Sequence, residues 1–154
     1  MQTYLNGFNQ NRNRREMEDR YLFKAKTARI VDSFNNAEDG KWVKGYLKCD
    51  TGKWEISQFE YDRADYVWYE VDPSTICQCT GLKDKNGNLI WENDVMVAHL
   101  DDNYPEDETY IRVLWLGNGF CSKENGSIDI TPFSKFDQEH FEVCGNIFDN
   151  KEFT

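Results

Sequence analysis

Only two histidines and three prolines occur in these 154 residues, and no long hydrophobic run is present. No stretch approaches the roughly eighteen consecutive apolar residues of a membrane-crossing helix. The first thirty residues hold no continuous apolar core of a secretory signal, so none is expected. Motifs that carry chemistry are missing too: there is no glycine-rich phosphate loop, serine elbow or paired-carboxylate signature. With two histidines, acid–base schemes have few candidates. His99 falls on a predicted strand and reads as a satisfied or exposed side chain. His140, within Asp137-Gln138-Glu139-His140, lacks a second histidine at helical spacing and reads as part of a solvated helix face. A Cys–His nucleophile pair using Cys121 or Cys144 has no local support. The sequence thus indicates no catalytic, cofactor-binding or metal-binding residue.

The five cysteines, Cys49, Cys77, Cys79, Cys121 and Cys144, are odd in number and contain no Cys-x-x-Cys spacing. That pattern fits a reducing, cytosolic compartment with the thiols serving as small buried side chains. In a strand, Cys77 and Cys79 would share one face as neighbouring core thiols. Formal net charge is −10, unevenly spread, because residues 1–31 carry seven Lys/Arg against three Asp/Glu. An acidic body repels phosphate backbones, which argues against general nucleic-acid binding. The basic stretch lacks the length and density of a binding arm. Residues 1–16 read as a flexible extension, and Met17 is a candidate start for the folded body, 17–154, expected as a single domain.

What is abundant is aromatic: five Trp, eight Tyr and ten Phe. These large rings lead to the expectation of a mainly β fold around an aromatic core. Short β-forming runs separated by turn residues predict strands over Tyr21–Ile30, Trp42–Lys48, Trp54–Tyr61 and Tyr66–Val71, with turns at Asn35–Gly40 and Asp50-Thr51-Gly52. Further strands are predicted over Ile76–Thr80, Leu89–Trp91, Asp94–Leu100, Tyr110–Leu116, Phe120–Ser122, Ile128–Ile130 and Glu142–Ile147. Asp94–Leu100 alternates as a half-buried strand does, and Asn86-Gly87 suits the positive-φ positions of a tight hairpin turn. Ser134–Phe141 reads as one or two helical turns with Ser134 as N-cap.

Two stretches carry a family resemblance. Thr80-Gly81-Leu82-Lys83-Asp84-Lys85-Asn86-Gly87, continued by Ile90-Trp91-Glu92-Asn93-Asp94-Val95, closely resembles the signature of the YopX-like phage proteins. So does the closing run Glu142-Val143-Cys144-Gly145-Asn146-Ile147-Phe148-Asp149-Asn150. Asn93 stands where that family usually has glycine, which suits a left-handed backbone, and Lys151 stands where it usually has proline, which should loosen the tail. The resemblance implies phage or prophage origin and a mainly β fold of short antiparallel strands with an SH3-like barrel portion. It implies no catalytic residues. Thr80, Gly81, Leu82, Asp84, Asn86, Gly87, Asp94, Gly145 and Asn146 therefore read as structural motif residues: glycines at turns, Asp84 and Asn86 capping their own backbone, Asp94 bonding a loop.

The candidate partner surface is the acidic loop, with Asp101, Asp102, Glu106, Asp107 and Glu108. Its readings are a solvated hairpin loop, a site for a basic partner or phosphate-backbone mimic, and a calcium site, the last without the spacing or glycine of a regular calcium loop. The function expected is a non-enzymatic module binding a host or phage protein in the bacterial cytoplasm. The alternatives are an anti-defence inhibitor with a nucleic-acid-mimicking acidic surface, and a small enzyme or ligand binder with an unrecognised pocket. Exposed strand edges are compatible with homo-oligomerisation.

Overall fold

Alternating β-formers between glycine turns produce a mainly β chain with its strands in two antiparallel sheets. The computed structural model describes residues 19–28 and 40–154. The expected extension 1–16, Met17, the end of the Tyr21–Ile30 strand and nearly all of the Asn35–Gly40 turn lie outside the described residues. Two compact units divide the chain, one ending at Gln78 and one beginning at Cys79.

In the first unit β1 (Phe23–Lys26), β2 (Trp42–Asp50), β3 (Lys53–Glu60) and β4 (Asp65–Glu70) run in sequence order, and a 3-10 turn follows at Pro73–Thr75. The β2–β3 connection is Thr51-Gly52, with φ of +50° and +81°. Two positive φ values make a turn whose twist matches the strands it joins. One face of this sheet buries Ala25, Val43, Ile56 and Val71, with Leu47, Trp54 and Tyr69 packed against them. Complete burial of a side chain such as Ile56 contributes about 1.5–3 kcal/mol. At Gly45 the strand changes partner, from β1 (Phe23↔Gly45) to β3 (Tyr46↔Ser57).

The second unit contains most of β5 (Cys77–Lys83), then β6 (Leu89–Trp91), β7 (Asp94–Ala98), β8 (Thr109–Leu116), β9 (Gly119–Glu124), β10 (Ile130–Pro132), α1 (Lys135–His140), β11 (Glu142–Asn146) and a 3-10 turn at Lys151–Phe153. Five of these strands form a sheet in the order β10-β9-β8-β7-β11. Its core is Ile90, Met96, Ala98, Ile111, Val113 and Phe141. Ser134 caps α1 through a reciprocal pair with Asp137: Asp137 N donates to Ser134 Oγ and Ser134 N to the Asp137 carboxylate.

Several expectations need correction. The core is mainly aliphatic rather than aromatic: only Trp91 and Phe141 are buried rings among the described residues, while nine aromatic side chains stand exposed. Register decides this, because strand parity places rings on the outer face as readily as small β-branched groups on the inner one. β7 is buried at every position rather than at alternate ones. The strand expected at Ile128–Ile130 is found at Ile130–Pro132. Proline is tolerated there because β10 is an edge strand, whose outward side needs no donor. Asn86 keeps negative φ, and only Gly87 is left-handed, at +83°. The tail expected to loosen at Lys151 forms a 3-10 turn, with the Phe153 ring packed 5.0 Å from Tyr110.

Candidate functional site

The residues of the Thr80–Gly87 stretch make a joint. Thr80 to Lys83 belong to β5, where Gly81 (φ +77°) sits at a register shift and Thr80 Oγ1 donates to Ile90 O at 2.8 Å. Leu82 is partly exposed, with its N–H on Thr80 Oγ1. Asp84 is 5% exposed and its carboxylate is saturated. Oδ1 accepts from Asn86 N and Asn88 N, each at 2.9 Å, and Oδ2 accepts from Val143 N at 2.8 Å. Asn86 donates to Glu142, and Lys85 N to Phe141 O. The two stretches that carry the family resemblance thus hold each other, Asp84 through Val143 and Asn86 through Glu142.

The same joining recurs one turn away. Asp94, 1% exposed, accepts from Trp91 N at 2.8 Å and lies opposite Asn146 in the β7–β11 register. Asn93 has φ +67°, the left-handed conformation expected of a residue standing in for glycine. Asn146 Oδ1 accepts from Phe148 N and Asp149 N, and Gly145 leaves room for Asn150, whose Oδ1 would lie 2.1 Å from an added Cβ. The Asp84 carboxylate, already holding three backbone N–H groups, has little capacity left for a ligand.

The acidic loop lies between β7 and β8, at the far end of β7 from Asp94. It is locally ordered. Asp101 Oδ1 accepts from Asn103 N at 2.8 Å, His99 Nδ1 lies 2.7 Å from Pro105 O, and His99 Nε2 lies 3.9 Å from Glu108. Glu108 also accepts from the Tyr110 hydroxyl, which holds that phenol above its usual range. Asp102, Glu106 and Asp107 have no side-chain partner among the described residues. His140, on exposed α1, stacks on Phe136 with ring centroids 4.0 Å apart. Among the described residues no group of three or more His, Cys, Asp or Glu is placed to hold a metal ion, and no helix is long and apolar enough to cross a membrane.

A surface the sequence did not single out lies on the first unit. The registers Tyr46↔Ser57↔Trp68 and Phe59↔Tyr66 place four aromatic rings on one face of β2, β3 and β4. All four are exposed: Tyr46 52%, Phe59 37%, Tyr66 58% and Trp68 45%. Phe59 makes edge contacts with Tyr66 and with Tyr61 in the following turn, at 5.3 and 5.1 Å between centroids. Lys48 lies 4.1 Å over the Trp68 ring while pairing with Glu55 at 3.0 Å. Behind the turn, Gln58 and the Tyr69 hydroxyl both donate to Glu60, which pulls that carboxyl below its usual range. The only sequence signal for this face was the period-two spacing of Tyr66 and Trp68, which by itself does not say which face is inward.

All five thiols are free. Cys77 and Cys79 are buried, with Cys77 Sγ on Thr75 O and Cys79 Sγ on Ile90 O. Cys144 is the bulged residue of β11, between Val143↔Met96 and Gly145↔Val95. As a residue it is exposed, yet its Sγ turns back to Val95 O at 3.4 Å, and the burial of the sulfur pushes the thiol pKa up. The thiolate is the reactive species. Iodoacetamide at pH 7.5 should therefore modify Cys49 several-fold faster than Cys144, read by peptide mass spectrometry over time. Equal rates would contradict the tucked sulfur.

In comparison with known families, residues 29–153 match the family model described as YopX protein. Among curated proteins none matches this sequence.

Proposed function

The chain belongs to the YopX protein family, and from that premise we propose a phage- or prophage-encoded binding protein, without catalytic activity, that engages a host or phage protein in the bacterial cytoplasm. The aromatic face of β2, β3 and β4 carries this reading. Rings left in water forgo the stabilisation that burial brings, and clustered exposed aromatics mark interaction surfaces. Tyr and Trp are the side chains on which binding energy concentrates. The stretch 53–72, which contains the β3–β4 hairpin, has six Asp/Glu against two Lys/Arg, so a partner carrying Lys or Arg around an apolar centre fits it best. We also take the five-stranded sheet of the second unit as the portion that corresponds to the SH3-like barrel of the family fold.

A second reading is favoured by the unpartnered Asp102, Glu106 and Asp107: an anti-defence inhibitor whose acidic loop replaces a nucleic-acid backbone on a host enzyme. One experiment separates the two. Affinity capture from host lysate is run with the wild type, with Tyr66→Ser/Trp68→Ser, and with Asp102→Asn/Glu106→Gln/Asp107→Asn. The aromatic double variant should lose a specific partner at least tenfold, and the loop variant should retain it. Loss confined to the loop variant would replace the first reading by the second. No specific partner from any of several hosts would overturn both.

A further inference from the structure

We propose that a cleft in the second unit, formed by β8, β9, the turn after β9 and the closing 3-10 turn, binds a small oxyanionic group, a phosphate or a carboxylate. This stands apart from the aromatic face and does not depend on it. The cleft has a volume of about 120 Å³, and Arg112 and Lys123 line it. That is space for a few water molecules or one oxyanion, and too little for a large organic ligand.

The charges are what need an explanation. The second unit carries six Lys/Arg against fifteen Asp/Glu, so a cation there has many carboxylates to choose from. Lys85 pairs with Glu142 and Lys135 with Glu139. Arg112, half-buried, instead donates its Nη2 to the neutral amide oxygen of Asn93 at 2.9 Å. Neither Arg112 nor Lys123 has a carboxylate partner among the described residues, although Glu124 lines the same cleft. The β8–β9 register puts Arg112 directly opposite Lys123. Like charges in that position repel, and an anion seated between them would convert the repulsion into two attractions.

Hydrogen bonding points the same way. Arg112 Nε is enclosed and has no acceptor. Buried guanidinium donors are ordinarily satisfied, and an orphan marks a place where a water or an ion belongs. Nε and the neighbouring amino group form the edge that grips an oxyanion with two parallel hydrogen bonds. Because Nε lies below the surface, the guanidinium must rotate slightly as the ligand enters. Across the cleft, Gly126 (φ +81°) has open space where a Cβ would be, so a ligand can approach its backbone closely. Tyr110 and Phe153, with rings 5.0 Å apart, supply an apolar wall on one side of the cleft.

The test is a 1H–15N NMR titration at constant ionic strength with inorganic phosphate, with acetate and with chloride. Phosphate or acetate, but not chloride, should give saturable shifts at the amides of Arg112, Lys123 and Gly126 and at the Arg112 Nε–H. The tighter of the two names the group the cleft prefers. Lys123 is exposed, so Lys123→Gln keeps the fold and should weaken the fitted affinity at least tenfold, and Arg112→Lys should weaken it further by removing the two-pronged grip. Shifts that stay linear for all three anions, or an affinity unchanged in Lys123→Gln, would overturn the proposal.

Discussion

Replacing Asp84 with alanine is expected to destabilise the second unit by about 3–5 kcal/mol. The carboxylate is nearly inaccessible and holds three backbone N–H groups, those of Asn86, Asn88 and Val143. Deletion removes three hydrogen bonds to a charged group, each worth about 1.5–3 kcal/mol, although the exposed Asn86 and Asn88 can turn their N–H groups to water. Some relaxation of the Lys85–Asn88 turn toward solvent keeps the sum below its upper limit. Asp84→Asn should cost less, about 2–3 kcal/mol, because one oxygen survives while the new amide sets a donor against one of the N–H groups. Urea unfolding followed by circular dichroism reads both. A loss under about 1 kcal/mol in Asp84→Ala would show that the joint between the two signature stretches contributes little.

Gly45→Ala is expected to be nearly as severe, at about 3–4 kcal/mol in the first unit. An added Cβ would lie 1.7 Å from the carbonyl oxygen of Ser57, a backbone atom that cannot move without shifting β3. β2 changes partner at this residue, so the shift would disturb the pairing of Tyr46 with Ser57 and of Ser57 with Trp68. The comparison variant is Gly52→Ala. Nothing lies within 4 Å of its added Cβ, and its φ of +81° imposes strain alone, about 1 kcal/mol. Paired denaturation curves test the contrast, and equal losses would mean that crowding at Ser57 is absorbed. Tryptophan fluorescence adds a second measure, since Trp54 and Trp68 both lie on the strands that would move.

Turn chemistry was the readable part of this chain. Asp50-Thr51-Gly52, Ser134 as N-cap, and Asn93 in place of glycine each state a local backbone requirement, and each is met locally. Strand positions followed from β-forming runs, with errors where context decides, as at Pro132, whose tolerance depends on β10 being an edge. Composition misled on the core, because counting rings says nothing of their parity: Tyr66 and Trp68 face outward while Val43 and Ile56 face inward. The cleft was not readable at all. Arg112, Lys123 and Phe153 are brought together by β8–β9 pairing and a closing turn, and no local pattern links them.

The bond from Val143 to Asp84 spans fifty-nine positions of sequence. On a translating ribosome the Lys85–Asn88 turn emerges long before β11, and in that interval Asp84 waits without its third donor. β7, covered on one edge by β8, waits for β11 on the other. The sheet of the second unit therefore completes itself only once β11 has left the exit tunnel. A nascent chain stalled before Val143 presents an open strand edge to chaperones and proteases, so messages cut short in this region yield polypeptides marked for disposal rather than partly working protein.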